Sequence, residues 1–248
     1  MTILVVGASG ETGRLLVGQL LNQGHHVKAV VRSPEKLPGS WKSDKRLQLI
    51  TASLLDLSDR EMVELTLGCD AIASCLGHNM SLKGIYGQPR KLVTDATRRL
   101  CNAIETNRAE RPVKYVLMNT TGNRNRNLNE PVSFAQKCVI GLLRLLLPPH
   151  VDNEQAADYL RTQVGQDNPF IEWAAVRPDG LIDEGEVTGY TIHPSPIRSA
   201  IFNPGKTSRI NVGHFMAQLI SDAGLWKQWK GQMPVIYNKI VLTLAGGF

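Results

Sequence analysis

Short apolar runs alternate with longer segments whose apolar residues recur at helical spacing. Uninterrupted apolar runs are typical of strands buried on both faces, and the longer segments are typical of amphipathic helices. Strands are predicted at residues 3–6, 26–31, 47–51, 71–75, 115–118, 171–176 and 235–237. Helices are predicted at residues 12–23, from Ser58 onward, and at 93–106, 152–164 and 212–223.

This alternation predicts an α/β protein with a doubly wound parallel sheet, the Rossmann fold. No linker or composition shift interrupts the pattern, so residues 1–248 are predicted to form one domain. Residues 180–206 are rich in Gly, Pro and Ser and are predicted to be a small C-terminal excursion on the substrate side. Residues 122–150 are predicted to supply the other substrate-side elements.

Two local patterns indicate where one helix begins and what kind of helix another segment forms. Ser58 and Glu61 have the spacing of a capping box at the start of a helix. The apolar run at 139–149, interrupted by Arg144, is shorter than the roughly 20 residues that span a membrane. It is interpreted as a core or interface helix.

Composition and charge indicate which kinds of partner the protein is expected to bind. The chain has 28 basic and 22 acidic residues, and the net charge of +6 suits an anionic small ligand. The basic residues are scattered, which argues against nucleic acid as a partner. The four cysteines show no metal-binding spacing, and no secretory signal pattern precedes the first strand. A cytoplasmic protein without a membrane partner is therefore expected.

A glycine-rich segment, G-x-x-G-x-x-G, follows the first strand directly and opens the first helix. Gly7 permits a tight turn, Gly10 permits close approach of a diphosphate, and Gly13 permits close packing of helix and strand. The free N–H groups of the helix N-terminus would bind the phosphates. The predicted dinucleotide contacts in this segment are Gly7, Ser9, Gly10, Glu11, Thr12 and Gly13. The alternative is a glycine turn without a ligand.

Basic residues follow the second strand, where an NAD-selective site would carry an acidic residue for the ribose hydroxyls. Arg32 occupies this place and Lys36 follows one helical turn later. A guanidinium there pairs well with a ribose 2′-phosphate, so NADP(H) is predicted in preference to NAD(H). The alternative is a solvated basic loop.

With these residues the chain resembles the atypical branch of the short-chain dehydrogenase/reductase superfamily. It is most similar to NmrA-like and biliverdin reductase B (flavin reductase)-like NAD(P)H-binding proteins. The matching segments also include Arg177-Pro178-Asp179-Gly180-Leu181 after the sixth strand. The resemblance implies further cofactor contacts from Asp56, Leu57, Cys75, Leu76, Gly77, Asn119, Pro178 and Leu181. Without the family, Asp56 could simply cap a turn and Gly77 could simply end a buried strand.

The resemblance also implies a hydroxyl after the fifth strand that hydrogen-bonds a substrate carbonyl. Thr120 fits this position best and Thr121 second, the alternative being a turn-capping threonine. The superfamily's Tyr-x-x-x-Lys pair is missing, because its positions fall at about Pro149 and Asn153. Tyr159 is interpreted as a packing residue.

Three further polar features have open roles. His150, beside the missing tyrosine, is a candidate proton donor or a loop residue. Asp152 is interpreted as the N-cap of the helix that follows it. The Asn-rich segment 122–130 carries Arg124 and Arg126, which would favour an acidic acceptor or else lie in a mobile polar loop.

Three functions are compatible with this pattern. The first is an NADP(H)-dependent oxidoreductase that reduces a small conjugated, quinone-like or flavin-like acceptor, whose proton can come from water. The second is a non-catalytic NADP(H)-binding sensor or regulator of the NmrA-like type. The third is an accessory factor that uses the cofactor for stability. A homodimer through the apolar helix at 139–147 is compatible with each of them.

Overall fold

An eight-stranded sheet forms the centre of the protein. The computed structural model describes residues 1–34, 37–78, 81–128, 130 and 133–239. The strands are β1 (Thr2–Val6), β2 (His26–Val31), β3 (Leu47–Thr51), β4 (Ala71–Ser74), β5 (Val113–Met118), β6 (Ile171–Pro178), β7 (Gly180–Ile182), β8 (Tyr190–His193), β9 (Lys206–Ser208) and β10 (Val235–Asn238). The helices are α1 (Glu11–Asn22), α2 (Asp59–Thr66), α3 (Leu82–Tyr86), α4 (Leu92–Asn107), α5 (Phe134–Leu146), α6 (Pro148–Tyr159), α7 (Arg209–Ser221) and α8 (Ala223–Trp229).

The strand order is β3-β2-β1-β4-β5-β6-β10-β8. All neighbours are parallel except the edge pair β10–β8. The order reverses between β1 and β4, where Val6 lies level with Val30 on one side and Ser74 on the other. Ligands in open α/β sheets bind beyond the carboxyl ends of the strands at such a switch point.

Alternate residues of each central strand face opposite sides of the sheet. On β1, Ile3 and Val5 join the apolar core beneath α1, α7 and α8, whereas Leu4 and Val6 join the core beneath α2, α4 and α6. Two buried faces explain why the strands have no polar alternation. The predicted fold class, a doubly wound parallel sheet in a single domain, is confirmed.

The predicted excursion at 180–206 contributes more to the sheet than the sequence indicates. It holds β7, which pairs with β9, and β8, which pairs with β10 at the edge of the main sheet. Neither β7, β8 nor β9 is predicted from the apolar pattern, because each is short and only partly apolar.

The apolar run at 139–149 falls mostly within α5, which begins earlier, at Phe134. Ile140 is the buried residue of this helix, whereas Phe134 is 82% exposed and Leu145 is 79% exposed. The interpretation of a core helix is therefore wrong, and the interpretation of an interface helix stays a prediction. Within the described residues, no helix is both long enough and apolar enough to cross a bilayer.

Candidate active site

The glycine turn after β1 is shaped by close backbone packing. Gly7 has φ +75°, and a Cβ there would lie 2.6 Å from the carbonyl of Cys75. A Cβ on Gly13 would lie 2.1 Å from the Gly7 oxygen, so a side chain fits at neither position. Because both positions lack a side chain, the start of α1 packs closely against the ends of β1 and β4. The close packing of helix and strand agrees with the spacing of the glycines.

The N-terminus of α1 is open to a ligand. Gly10, its N-cap, has no side chain that could cap the first N–H groups, and both Ser9 and Gly10 are exposed. Thr12 is buried, and the exposed Glu11 is ion-paired with Arg14 on the same helix. An uncapped helix N-terminus beside a glycine cradle fits the diphosphate of a dinucleotide.

The neighbouring strand ends lie at the same edge of the sheet. Arg32 follows β2 directly and is exposed, and Asp56 is exposed in the 3-10 turn Leu54–Asp56 after β3. The carbonyl of Leu57 accepts a hydrogen bond from the Arg99 guanidinium, which ties this turn to α4. Lys36 lies outside the described residues.

The segment after β4 packs against the glycine turn. The Cys75 N–H donates to the Val6 oxygen at 2.9 Å, and Leu76 packs against the core beneath α4. Burial raises the pKa of the Cys75 thiol to about 12, so this side chain is a packing group and not a nucleophile. Gly77 is exposed at the end of the segment.

A cleft of about 390 Å³ opens beyond β5 and β6. Its volume lies within the roughly 300–1,000 Å³ typical of small-molecule sites. Polar groups from the strand ends face apolar side chains from α5 and the excursion. The lining residues are Asn119, Thr120, Thr121, Gly122, Gln136, Ile140, Leu143, His150, Pro178, Asp179, Gly180, Leu181, Ala200 and Ile201.

The two threonines after β5 have different surroundings. Thr121 is buried, and its hydroxyl donates to the Asp179 carboxylate at 3.1 Å. Thr120 is half-buried, and its Oγ1 accepts from the Gly122 N–H at 3.3 Å. Since that bond uses an oxygen lone pair, the Thr120 proton is available to an acceptor in the cleft.

His150 lies beside Thr120 in the first turn of α6. A methyl group on Gly122 would lie 3.4 Å from His150 Cε1 and 3.7 Å from Thr120 Oγ1, so both side chains border the same point. Burial lowers the pKa of His150, which leaves a neutral imidazole near pH 7. Among the described residues, its Nε2 has no hydrogen-bond partner, and Glu154 Oε1 lies 3.9 Å away.

The start of α6 differs from the prediction. The helix begins at Pro148, because proline suits the first helical position, and His150 is therefore helical and not a loop residue. Asp152 is not the N-cap of its own helix. Its buried carboxylate accepts from the N–H groups of Val93 and Thr94 at 2.8 and 2.9 Å, and so caps α4.

Hydrogen bonds fix the residues that frame the cleft. Asn119 Oδ1 accepts from the Thr120 N–H at 2.8 Å, and Asn119 Nδ2 donates to the carbonyl of Asn153 at 2.9 Å. The Asn119 side chain thus joins the end of β5 to α6.

Burial raises the pKa of Tyr159 to about 12, and this residue packs against the core beneath α4, as interpreted from the sequence.

The segment 122–130 is anchored at several described positions. Asn123, Asn125 and Glu130 are buried, and Glu130 forms an ion pair with fully buried Arg177 at 2.7 Å. Arg126 pairs with Asp158 at 3.2 Å. The described part of this segment has no helix or strand, so the expected loop is confirmed, and three of its polar side chains are buried in the protein. The mobility of the loop stays a prediction.

The sequence indicated the two segments that supply the outer wall of the cleft, but not which of their residues face it. Gln136, Ile140 and Leu143 come from α5 within the predicted segment 122–150, and Ala200 and Ile201 come from the excursion. The apolar run at 139–149 was the available signal, but helical spacing alone does not show which face meets the sheet.

The fold and the glycine turn define a dinucleotide-binding protein of the Rossmann class. The family model of NAD(P)H-binding proteins matches residues 7–223, and the chain belongs to this family. The predicted binding of a nicotinamide dinucleotide is confirmed at the level of the family, and the predicted fold is confirmed by the structures that share it.

Three solved structures share the fold. A protein from Bacillus halodurans assigned as an NAD-dependent epimerase/dehydratase has 20% identity, a TM-score of 0.70, and coverage of 96% of this chain and 94% of its own. A short-chain dehydrogenase/reductase from Veillonella parvula in complex with NADP has 17% identity, a TM-score of 0.67, and coverage of 96% and 94%. A protein from Streptococcus pneumoniae assigned as an NADH-flavin reductase has 18% identity, a TM-score of 0.63, and coverage of 96% and 100%.

One sequence relative matches over a shorter stretch. An uncharacterized chloroplastic protein of Arabidopsis thaliana is 43% identical over 58 residues, which is 23% of this chain. The chain covers 21% of that relative's length.

Proposed function

We propose that the protein is an NADP(H)-dependent oxidoreductase that reduces a small conjugated, quinone-like or flavin-like acceptor. The observation that carries this proposal is the cleft beyond β5 and β6, where Thr120 and His150 border one point at the edge of the sheet that carries the glycine turn. The family supplies the cofactor class, and the neighbour that holds NADP supports the fit of that cofactor to the fold. A cytoplasmic location stays a prediction.

Each part of the site has a defined task in this proposal. When bound, the dinucleotide supplies a hydride. The turn from Gly7 to Gly13 binds its diphosphate, and Arg32 selects the 2′-phosphate. The apolar side chains of Ile140, Leu143 and Ile201 hold the acceptor ring and exclude water.

Two side chains act on the acceptor. The Thr120 hydroxyl donates a hydrogen bond to the acceptor oxygen, where negative charge develops. His150 or water delivers the proton that accompanies the hydride. The positions of the missing Tyr/Lys pair, Pro149 and Asn153, offer no acid, and Asn153 Nδ2 donates to the Pro149 carbonyl. This limits the acceptor to one that is easily reduced.

The test begins with titration of the purified protein with NADPH and NADH, followed by absorbance of the reduced nicotinamide with flavins and quinones. We expect oxidation that depends on the acceptor. Thr120→Val should lower kcat at least about tenfold, because a hydrogen bond to developing charge is lost, and leave cofactor affinity nearly unchanged. Thr121→Val is the neighbouring comparison, whose effect should fall on stability. An unchanged rate in Thr120→Val would remove this hydroxyl from the mechanism.

The second candidate is a non-catalytic NADP(H)-binding sensor. It is favoured by the exposed apolar face of α5, where Phe134, Leu142 and Leu145 point away from the protein. Tight NADPH binding without oxidation of any acceptor in the panel would favour this candidate.

A further inference from the structure

A second chamber of about 230 Å³ adjoins the cleft. The two spaces lie side by side and share four lining residues, namely Thr121, Gly122, Gln136 and Ile140. A ligand that lies against Thr120 would enter the chamber across this shared border.

The chamber carries unbalanced positive charge. Arg124, Arg198 and Glu130 line it, but the Glu130 carboxylate is already neutralised by Arg177, whose guanidinium donates to both of its oxygens at 2.7 and 3.2 Å. Across the described parts of the chain, neither Arg124 nor Arg198 forms an ion pair. Two guanidinium charges thus remain without a counter-charge.

Arg124 is only partly satisfied by the protein. Its Nη2 donates to the backbone carbonyl of Glu130 at 2.9 Å. Its Nε is buried and lacks a hydrogen-bond partner among the described residues. A buried donor without an acceptor is costly, and an oxyanion in the chamber would remove that cost.

Arg198, the second guanidinium of the chamber, belongs to the excursion at 180–206. Ser199, the neighbour of Arg198, donates from its hydroxyl to Gln136 Oε1 on α5 at 3.2 Å, and Arg177 Nη2 donates to the Pro194 carbonyl at 3.1 Å. These bonds hold the 194–199 segment over the chamber. The sequence suggested Arg124 and Arg126 as the two cations beside the cleft. In the structure, Arg126 forms an ion pair with Asp158, and Arg198 is the second guanidinium that lines the chamber.

We propose that the second chamber binds an anionic oxygen group of the acceptor, a carboxylate or a phosphate monoester, through Arg124 and Arg198. The inference rests on the proposed function for the position of the acceptor ring in the cleft. It adds the substrate class, which is a flat conjugated ring that carries an acidic substituent. Guanidinium groups suit such oxyanions because they offer paired N–H donors.

The experiment compares matched acceptors with the NADP⁺-loaded protein. Riboflavin and FMN differ by a phosphate, and naphthoquinone and naphthoquinone carboxylate differ by a carboxylate. Binding is measured by fluorescence quenching or calorimetry, so the result does not require turnover. We expect the acidic member of at least one pair to bind about tenfold more tightly than its neutral partner, with an advantage that falls as salt is raised. The pair with the larger difference identifies the source of the oxyanion.

Variants assign this preference to the chamber. Arg198→Gln and Arg124→Gln should each raise Kd for the acidic member about tenfold and change Kd for the neutral member less than about twofold. Arg126→Gln removes a nearby guanidinium outside the chamber and should change neither. Equal binding of acidic and neutral members, or equal losses for both, would overturn the inference. If the acidic members bind with the expected preference but the separate assay with NADPH shows no oxidation by any acceptor, the reductase is overturned and the oxyanion site is kept.

Discussion

Thr120 and Thr121 are chemically identical and adjacent, yet their hydroxyl groups have different roles in the structure. The sequence predicts both at the end of β5, because parallel strands end at the ligand-binding edge. It does not predict that Asp179, 58 residues later, accepts from Thr121 and leaves Thr120 to the cleft. Residue types and strand ends are readable from sequence, whereas hydrogen-bond partners from distant segments are not.

The choice between the two nicotinamide cofactors is expected to depend on Arg32. Arg32→Asp should raise Kd for NADPH about 10- to 100-fold, because charge-assisted bonds to the 2′-phosphate contribute roughly 1.5–3 kcal/mol. Kd for NADH should change far less. Fluorescence titration measures both. Arg60→Asp, an equal charge change at the exposed surface of α2, is the control. Equal losses for NADPH and NADH would contradict the assignment.

The role of His150 predicts a pH dependence. Burial lowers its pKa from 6.5, so the imidazolium forms only as pH falls through that lowered value. If His150 delivers the proton, kcat/KM should rise as pH falls below about 6.5. His150→Gln should lose this rise.

The lowered pKa of His150 also makes the folding stability depend on pH. The contribution of the neutral side chain to the free energy of unfolding is complete above pH 6.5 and is lost as pH falls through the folded-state pKa. Thermal melts at each pH separate unfolding from catalysis, and a rise that persists in His150→Gln would assign the proton to water.

At the scale of elements, α6 shows how a helix end can be misread. Two prolines and a histidine suggest a loop, and the aspartate that follows suggests an N-cap. The prolines instead start the helix, and Asp152 reaches α4, where Lys91 at the N-cap provides no side-chain bond of its own. The same carboxylate also accepts from His78 Nε2 at 2.7 Å. Helix periodicity was sufficient to find both helices, but capping between helices depends on tertiary packing.

Removing this cap should destabilise the protein. Asp152→Ala leaves two N–H groups of α4 and the Nε2 atom of His78 without an acceptor, which costs about 3 kcal/mol. The Tm should fall by roughly 6–12 °C at this chain length. Asp95→Ala, also in the first turn of α4 but in an exposed pair with Arg98, should cost less than about 1 kcal/mol. Calorimetry that gives the two variants equal Tm values would contradict this account.

At the scale of the whole molecule, the alternation of elements was sufficient to predict the parallel sheet and its two cores. The edge strand β8 could not be predicted from the apolar pattern, because Tyr190–His193 is partly polar. It forms a strand by pairing with β10, which lies near the end of the described chain. The cleft is likewise a product of long-range packing, since its two walls come from segments about 60 residues apart.

The homodimer through α5 stays a prediction that the exposed face of this helix makes specific. Phe134, Leu142, Leu145 and Leu146 are each at least half exposed. Burying such a face against a second copy is favourable by the hydrophobic effect. Light scattering should give a dimer for the natural protein and a monomer for Leu145→Lys. Leu67→Lys, at an exposed leucine on another face, should leave the dimer intact. A monomeric natural protein would contradict the prediction.

The placement of the outer wall of the cleft has an evolutionary consequence. Gln136, Ile140 and Leu143 belong to a helix outside the sheet, and Ala200 and Ile201 belong to a connection between strands. None of these five residues takes part in a strand pairing or in the glycine turn, so replacements there are expected to leave both unchanged. Descendants of one ancestral dinucleotide binder can therefore exchange acceptors while they keep the cofactor. In such a lineage, the wall segments are the ones to compare when relatives are sorted by substrate.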